Sequence, residues 1–163
     1  MAAVDYFLKL DGIEGESKAD KHTNEIDVLS FSWGATQTGT FASGTGGGGA
    51  GKVSMQDFHF TMEHSKASPA LMLACAQGDH IKSAILTCRK AGKEQQEFLK
   101  ITMSDVLVSS FQTGGSAGGN VVPTDQVSLN FAKIEHEYKQ QDTTGKVTGS
   151  VKKQFDLRTV KGS

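Results

Sequence analysis

The sequence predicts a mostly β protein, a small antiparallel β-barrel of two sheets with one short α-helix and a long, extended Gly-rich loop. Three observations predict it. Apolar and polar residues alternate with period two along most segments. Only one stretch carries helix start and stop signals. The chain has 19 Gly and 2 Pro, which suits many turns and long loops and excludes a collagen or polyproline rod. At 163 residues it is one domain, 1–163, long enough to hide roughly 70% of its unfolded surface without staples.

A short strand, Tyr6 to Leu10, opens the chain. The clearest strand is "EIDVLSFSWGATQ", where Leu29, Phe31 and Trp33 point one way and Ser30, Ser32 and Gly34 the other. Its second face is small and hydroxylic instead of Lys- and Glu-rich, as expected of a surface that lines a passage or packs close to a neighbour. Residues 39–51 follow as the Gly-rich loop, too poor in side chains to pack, with Phe41 its one large apolar residue. "KVSMQDFHFTME" resumes as a strand with Phe58, Phe60 and Met62 on one face; Val53 and Met55 have the other parity, which predicts a bulge near Gln56–Asp57. The helix spans 68–77, with Ser68 as cap, Pro69 in the first turn and Gly78 closing it. Apolar residues run nearly all round it, so burial on more than one side is expected. Two strands joined by a turn around Ala91–Glu94 form a hairpin. A second Gly loop precedes a long strand with Val127, Leu129 and Phe131 alternating. A turn over 143–150 leads to a last strand with Phe155 and Leu157 inward. The predicted core is Leu29, Phe31, Trp33, Phe58, Phe60, Leu129 and Phe131, with Leu71 and Leu73 from the helix.

Composition excludes several functions. Lys plus Arg is 17 against 18 Asp plus Glu, a net charge of −1, so no basic surplus exists to neutralise nucleic acid. No stretch approaches the roughly 20 apolar residues of a membrane span. Asp5 and Lys9 interrupt the short apolar N-terminal run, and no basic n-region precedes it. The expectation is a chain made in the cytoplasm, with any export by a route that reads no signal peptide. Cys75 and Cys88, in apolar settings, read as reduced core thiols.

Gly runs create motifs whose context fails. Gly46 to Lys52, "GGGGAGK", resembles a phosphate loop, but Val53 stands where Ser or Thr must hold magnesium, and a strand follows where a helix must start. Gly44, Gly46 and Gly49 lack the strand–turn–helix setting of a dinucleotide site. Ser116 in "GGSAG" lacks the helix that a nucleophile elbow leads into. His22, His59, His64, His80 and His136 have no metal-ligand spacing. Glu135 and Glu137 share one strand face and His136 lies opposite, the pattern of a solvated strand surface. The reading assigns no catalytic residue, cofactor or metal.

"EIDVLSFSWGATQTG", the loop ending "GGGGAGKVSMQDFHF", the helix "SPALMLACAQG", "CRKAG", "EFLKITMSDVLVSSFQTGG" and "VSLNFAKIEHEY" together resemble the haemolysin-coregulated protein family, the inner-tube proteins of bacterial type VI secretion systems. The resemblance runs through nearly the whole chain, in order. It implies a two-sheet barrel with a helix at its side, assembly into homo-hexameric rings with a central channel, and stacking of rings into a secreted tube. It also implies partnership with the sheath and spike proteins of the same system, and small effector proteins carried in the lumen, without nucleic-acid binding or membrane insertion. On this basis Ser30 and Ser32 are expected to face the lumen. Gly39, Thr40, Phe41, Gly46, Gly47, Gly48, Gly49 and Lys52 are expected to belong to a loop reaching the neighbouring ring. Two rivals keep their place: a monomeric β-sandwich that binds ligand through its Gly-rich loops, and a hydrolase built on Ser116.

Overall fold

Alternating side chains produce eleven strands and one helix among the described residues, which in this computed structural model are 4–39, 50–91, 96–119 and 122–163. In order they are β1 (Val4–Leu10), β2 (Ile26–Val28), β3 (Ser30–Ser32), β4 (Ala35–Gly39), β5 (Ala50–Met55), β6 (Phe58–Glu63), α1 (Ala67–Gln77), β7 (His80–Lys90), β8 (Glu97–Gly114), β9 (Thr124–Gln141), β10 (Val147–Asp156) and β11 (Lys161–Gly162). Nine strands form one antiparallel sheet and β4 with β5 forms a second.

The long strand β9 is the hub. Its first half, Thr124 to Leu129, pairs with β6; its second half, Lys133 to Gln141, pairs with β10; β8 runs along the other edge. Beyond β8 come β7, β1 and β2, and beyond β6 comes β3. The sheet curls so that β2 and β3, consecutive in the chain, form a seam: Val28 pairs with Tyr6 of β1, whereas Ser30 pairs with Thr61 of β6. No ladder joins β2 to β3, so the barrel is not closed by hydrogen bonds all round. The chain itself bridges the gap through Leu29, whose N–H donates to the Thr61 carbonyl at 2.8 Å.

This seam corrects the expected single strand through residues 25–37. One residue is spent in crossing, so the inward parity moves from Ile26 and Val28 to Phe31 and Trp33. Leu29 is 54% exposed instead of buried. Phe31 and Trp33 are half-buried against the core. Phe58, Phe60, Leu71, Leu129 and Phe131 are buried as expected.

The helix also departs from expectation. It packs against β8 with one side only, burying Ala67, Leu71 and Ala74 while Met72 and Leu73 are each 49% exposed. Ser68 is not its cap. Lys66 holds that position without a side-chain bond, and its N–H donates to Glu16 Oε2 at 3.2 Å, a carboxylate brought in from the loop after β1. Gly78 closes the helix at φ 67°, as the left-handed stop requires. Gln56 and Asp57 are not a bulge within one strand but the point where the chain leaves the small sheet for the large one. Residues 147–150, expected in a turn, extend β10. The β7–β8 hairpin forms as expected, with 92–95 of its turn outside the described residues.

A further feature has no counterpart in strict alternation. Inward parity switches at the same level on three neighbouring strands, between Ile81 and Ala84, Met103 and Val106, and Phe131 and Ile134. Asp105 sits at this bend with φ 52°, a conformation Asp tolerates better than most residues. Arg158 Nη1 donates to Asp105 Oδ2 at 2.6 Å. The bend lets one long strand serve two differently directed surfaces.

Candidate functional site

The outward face of β3, β6, the first half of β9 and the second half of β8 carries two rows of neutral polar side chains. Register places Ser32, His59, Ser128 and Ser110 side by side, and Ser30, Thr61, Gln126 and Gln112 beside them. The eight line one concave cavity of about 370 Å³, with Phe31, Phe60 and Val127 in its wall. None of the eight bears a fixed charge.

Each row follows from period two: residues i and i+2 of every strand share the face, and antiparallel register sets them across from one another. Beneath them lies the apolar floor. Phe31 stacks on Phe58 with centroids 5.8 Å apart, Phe58 meets Phe60 at 6.2 Å, and Tyr6 meets Phe31 edge-on at 5.3 Å. Such a floor fixes the backbone and hence the spacing of the polar groups. Hydrogen bonds then tie the face laterally. Ser30 Oγ and Thr61 Oγ1 lie 2.6 Å apart, His59 Nδ1 and Ser128 Oγ 2.7 Å, and Ser110 Oγ donates to Ser128 Oγ at 2.8 Å. At the margin Asp57 has both oxygens engaged, one by Ser109 Oγ at 2.7 Å and one by Asn130 Nδ2 at 3.0 Å.

Behind this face a buried clip attaches the helix. Asp125, fully buried, accepts from the Ser68 hydroxyl and pairs with His64 Nδ1 at 3.0 Å. Burial pushes its carboxyl pKa up. Hydrogen bonds from Ser68, His64 and Thr113 outweigh that and hold it below the ordinary value. Serine, aspartate and histidine meet here, yet the aspartate stands between the other two and the serine is buried. The order is that of a structural clip; a nucleophile needs histidine next to serine.

Ser30 and Ser32 lie exposed on β3 and join the rows. Gly39 ends β4, and Lys52 is exposed on β5. Thr40, Phe41, Gly46, Gly47, Gly48 and Gly49 lie outside the described residues. Lys52 within a strand removes the phosphate-loop reading. Ser116 sits in a turn followed by a strand, away from any elbow. Among the described residues no group of three or more His, Cys, Asp or Glu could hold a metal, and no helix is long and apolar enough to cross a membrane. Cys75 and Cys88 are both free; Cys88 is buried, which pushes its thiol up to about 12.

Sequence reasoning missed six of the eight residues: His59, Thr61, Ser110, Gln112, Gln126 and Ser128. The signal that singled out Ser30 and Ser32 was present in all of them, a neutral polar side chain at every second position beside an apolar one. His22, away from this face, stacks on Phe7 at 4.5 Å, with Nδ1 2.9 Å from Glu25 and Nε2 2.7 Å from Glu97. His136 lies opposite Glu135 and Glu137 as expected, edge-on to Trp33 at 5.8 Å.

Residues 7–138 match the family described as "Type VI secretion system effector, Hcp". The chain is 49% identical to protein Hcp1 of Pseudomonas aeruginosa over 158 residues, 96% of each chain. Among solved structures, one described as a type six secretion system protein superposes with a TM-score of 0.93 at 33% identity, covering 99% of this chain and 100% of that one. Hcp1 from Salmonella typhimurium superposes with a TM-score of 0.82 at 38% identity over the same shares.

Proposed function

The chain belongs to the Hcp family of type VI secretion proteins, and from that premise we propose that it is the tube subunit of such a system, with the neutral polar face as the lining of its channel. Six copies form a ring, rings stack into a tube, and the tube leaves the cell, driven by the sheath and tipped by the spike of the same system. Small effector proteins ride in the lumen. The observation that carries the lumen assignment is the pair of rows across β3, β6, β9 and β8. A wall of hydroxyl and carboxamide groups without fixed charge neither traps nor repels a passing protein by Coulomb force, whatever that protein's net charge.

Exposed apolar side chains on the face opposite the charged one, beyond the bend, support protomer contacts elsewhere. Tyr138 and Val151 face each other across β9 and β10, exposed by 50% and 62%, a patch that burial in a ring would remove from water. The segment bearing Thr40, Phe41 and Gly46 to Gly49 leaves and rejoins the β4–β5 hairpin, where Gly39 pairs with Ala50. We assign it, with Gly39 and Lys52, to contact with the next ring. The reading needs no catalytic residue, cofactor or metal.

Sizing and negative-stain imaging test it together. The expected particle is a ring with an open centre, about six times the 17.3 kDa chain mass; a monomer would support a ligand-binding module and end the tube reading. Deleting residues 40–49 is expected to leave rings intact and to abolish tubes and secretion. Ser32→Gln is expected to keep rings and lose cargo on co-purification; equal retention would show that Ser32 does not face the cargo.

A further inference from the structure

His59 stands out on the polar face. It is the one ring among the eight polar side chains, paired in register with Ser32 on one side and Ser128 on the other. Its Nδ1 is 2.7 Å from Ser128 Oγ, and no hydrogen bond engages Nε2 among the described residues. Ser128 Oγ in turn receives the Ser110 hydroxyl at 2.8 Å.

A serine hydroxyl has one proton to give. With Ser110 already donating to it, Ser128 keeps that proton for its other close neighbour, His59 Nδ1. An imidazole that accepts at Nδ1 carries its hydrogen on Nε2 in the neutral ring. We propose that Ser110 and Ser128 are positioning residues that fix His59 as the Nε2–H tautomer, and that the face thereby offers an oriented donor to an uncharged carbonyl of its partner, a backbone amide or a side-chain carboxamide.

The relay runs across three strands, Ser110 of β8 to Ser128 of β9 to His59 of β6, and each step follows the register. Gln112 and Gln126 lie in the adjacent row and line the same cavity. Their carboxamides present both a donor and an acceptor, so an amide group can be met from two sides. None of the eight lining side chains bears a fixed charge, and recognition by them is therefore insensitive to salt. The partner surface it fits is neutral and rich in amide groups, the exposed backbone or Asn and Gln side chains of a small protein. This rests on the face being the wall that meets cargo, but the tautomer can be read on the protein without cargo.

Long-range proton–nitrogen correlation spectra of the ¹⁵N-labelled protein at about pH 8, above the ordinary histidine range, read it directly. The expected result is His59 with its hydrogen on Nε2. Ser128→Ala is expected to give a mixture of tautomers and Ser128→Thr to keep the single form, with backbone resonances away from β6, β8 and β9 unmoved. The Nδ1–H tautomer in the wild type, or a Ser128→Ala spectrum like the wild type's, would overturn the proposal. N-acetylglycinamide, an uncharged amide probe, is then titrated beside acetate. The amide is expected to move the His59 Nε2–H signal in a saturable way, equally at about 0.5 M NaCl, where screening reaches about 4 Å. Ser128→Ala should weaken it about three- to tenfold, the scale of one hydrogen bond. A stronger response to acetate, abolished by salt, would overturn the neutral-carbonyl assignment. A monomer on sizing, with the Nε2–H tautomer intact, would instead refute the lumen reading and leave the tautomer assignment standing.

Discussion

The two halves of β9 are built from one strand and present different surfaces. Before the bend at Ala132 its outward residues are Thr124, Gln126, Ser128 and Asn130. After it they are Lys133, Glu135, Glu137 and Lys139. The first half is tied to its neighbours by hydroxyl and imidazole bonds, the second to β10 by an ion pair, Lys152 Nζ 2.8 Å from Glu135, while Lys139 Nζ lies 4.0 Å from Glu137 along β9 itself. β8 changes with it, from Lys100 and Thr102 to Ser110 and Gln112. Both halves are paired antiparallel on each edge, to β8 throughout and to β6 or β10 on the other side, so the ladder does not explain the contrast; what each surface meets does. A charged strand face is the usual answer to water. A neutral one, two rows kept uncharged across four strands between Asp57 and Glu63 at the margins, is the departure that carries the functional reading.

The comparison breaks most completely if the floor under the neutral half is removed. Phe58 is fully buried between Phe31 and Phe60. Phe58→Ala is expected to cost about 3–5 kcal/mol in urea unfolding, and the polar rows should lose their register with it. An outward change in the same region, Ser30→Ala, should cost a small fraction of that.

The next effect separates buried polarity from surface charge. Asp125 has its pKa lowered, so its folded value lies below the unfolded one of about 3.9. Its contribution is complete above that unfolded value and is lost as pH falls through the folded one. Asp125→Asn is expected to destabilise the protein by about 1–3 kcal/mol at neutral pH, the scale of unsatisfied buried partners. The gap to wild type should narrow below about pH 4. A gap constant down to pH 2 would mean that the clip is not carried by the ionised carboxylate.

Salt sharpens the contrast between the halves directly. Lys152→Ala should lower the melting temperature slightly in dilute buffer and leave it unchanged relative to wild type at about 1 M NaCl, where screening reaches about 3 Å. Ser30→Ala, on the neutral half, should show the same small shift at both ionic strengths. A salt-dependent shift for Ser30→Ala would contradict the neutral character assigned to that face.

The smallest expected change lies outside both halves. Val160 holds φ 56° and is exposed in the turn between β10 and β11, a conformation that costs a β-branched residue about 1–2 kcal/mol. Val160→Asn should stabilise the chain by up to about 1 kcal/mol, read as a rise in the urea midpoint. No gain would show that contacts of the valine offset its strain.

Period two in "QVSLNF", "FHFTM" and "VLSFSW", with Gly78 after the helix, was enough to predict a mostly β domain, the helix limits within one residue and the buried face of β6 and β9. Local chemistry decides these, because alternation and a left-handed stop act within a few residues of chain. The same local logic marked Ser30 and Ser32. It could not mark their six companions as one surface, because register joins residues up to 98 positions apart, Ser128 beside Ser30 and Ser32 through β6. Nor could it place Leu29 outward, since the crossing from β1 to β6 at that residue is a property of how the sheet curls. Exposure of Leu73 has the same origin: a helix apolar on every side does not state which side the barrel will cover. The sequence by itself determined which segments alternate and which faces are neutral. The tertiary structure alone decided which neutral faces adjoin, and where a strand changes partners, because both depend on long-range closure that no short window of residues contains.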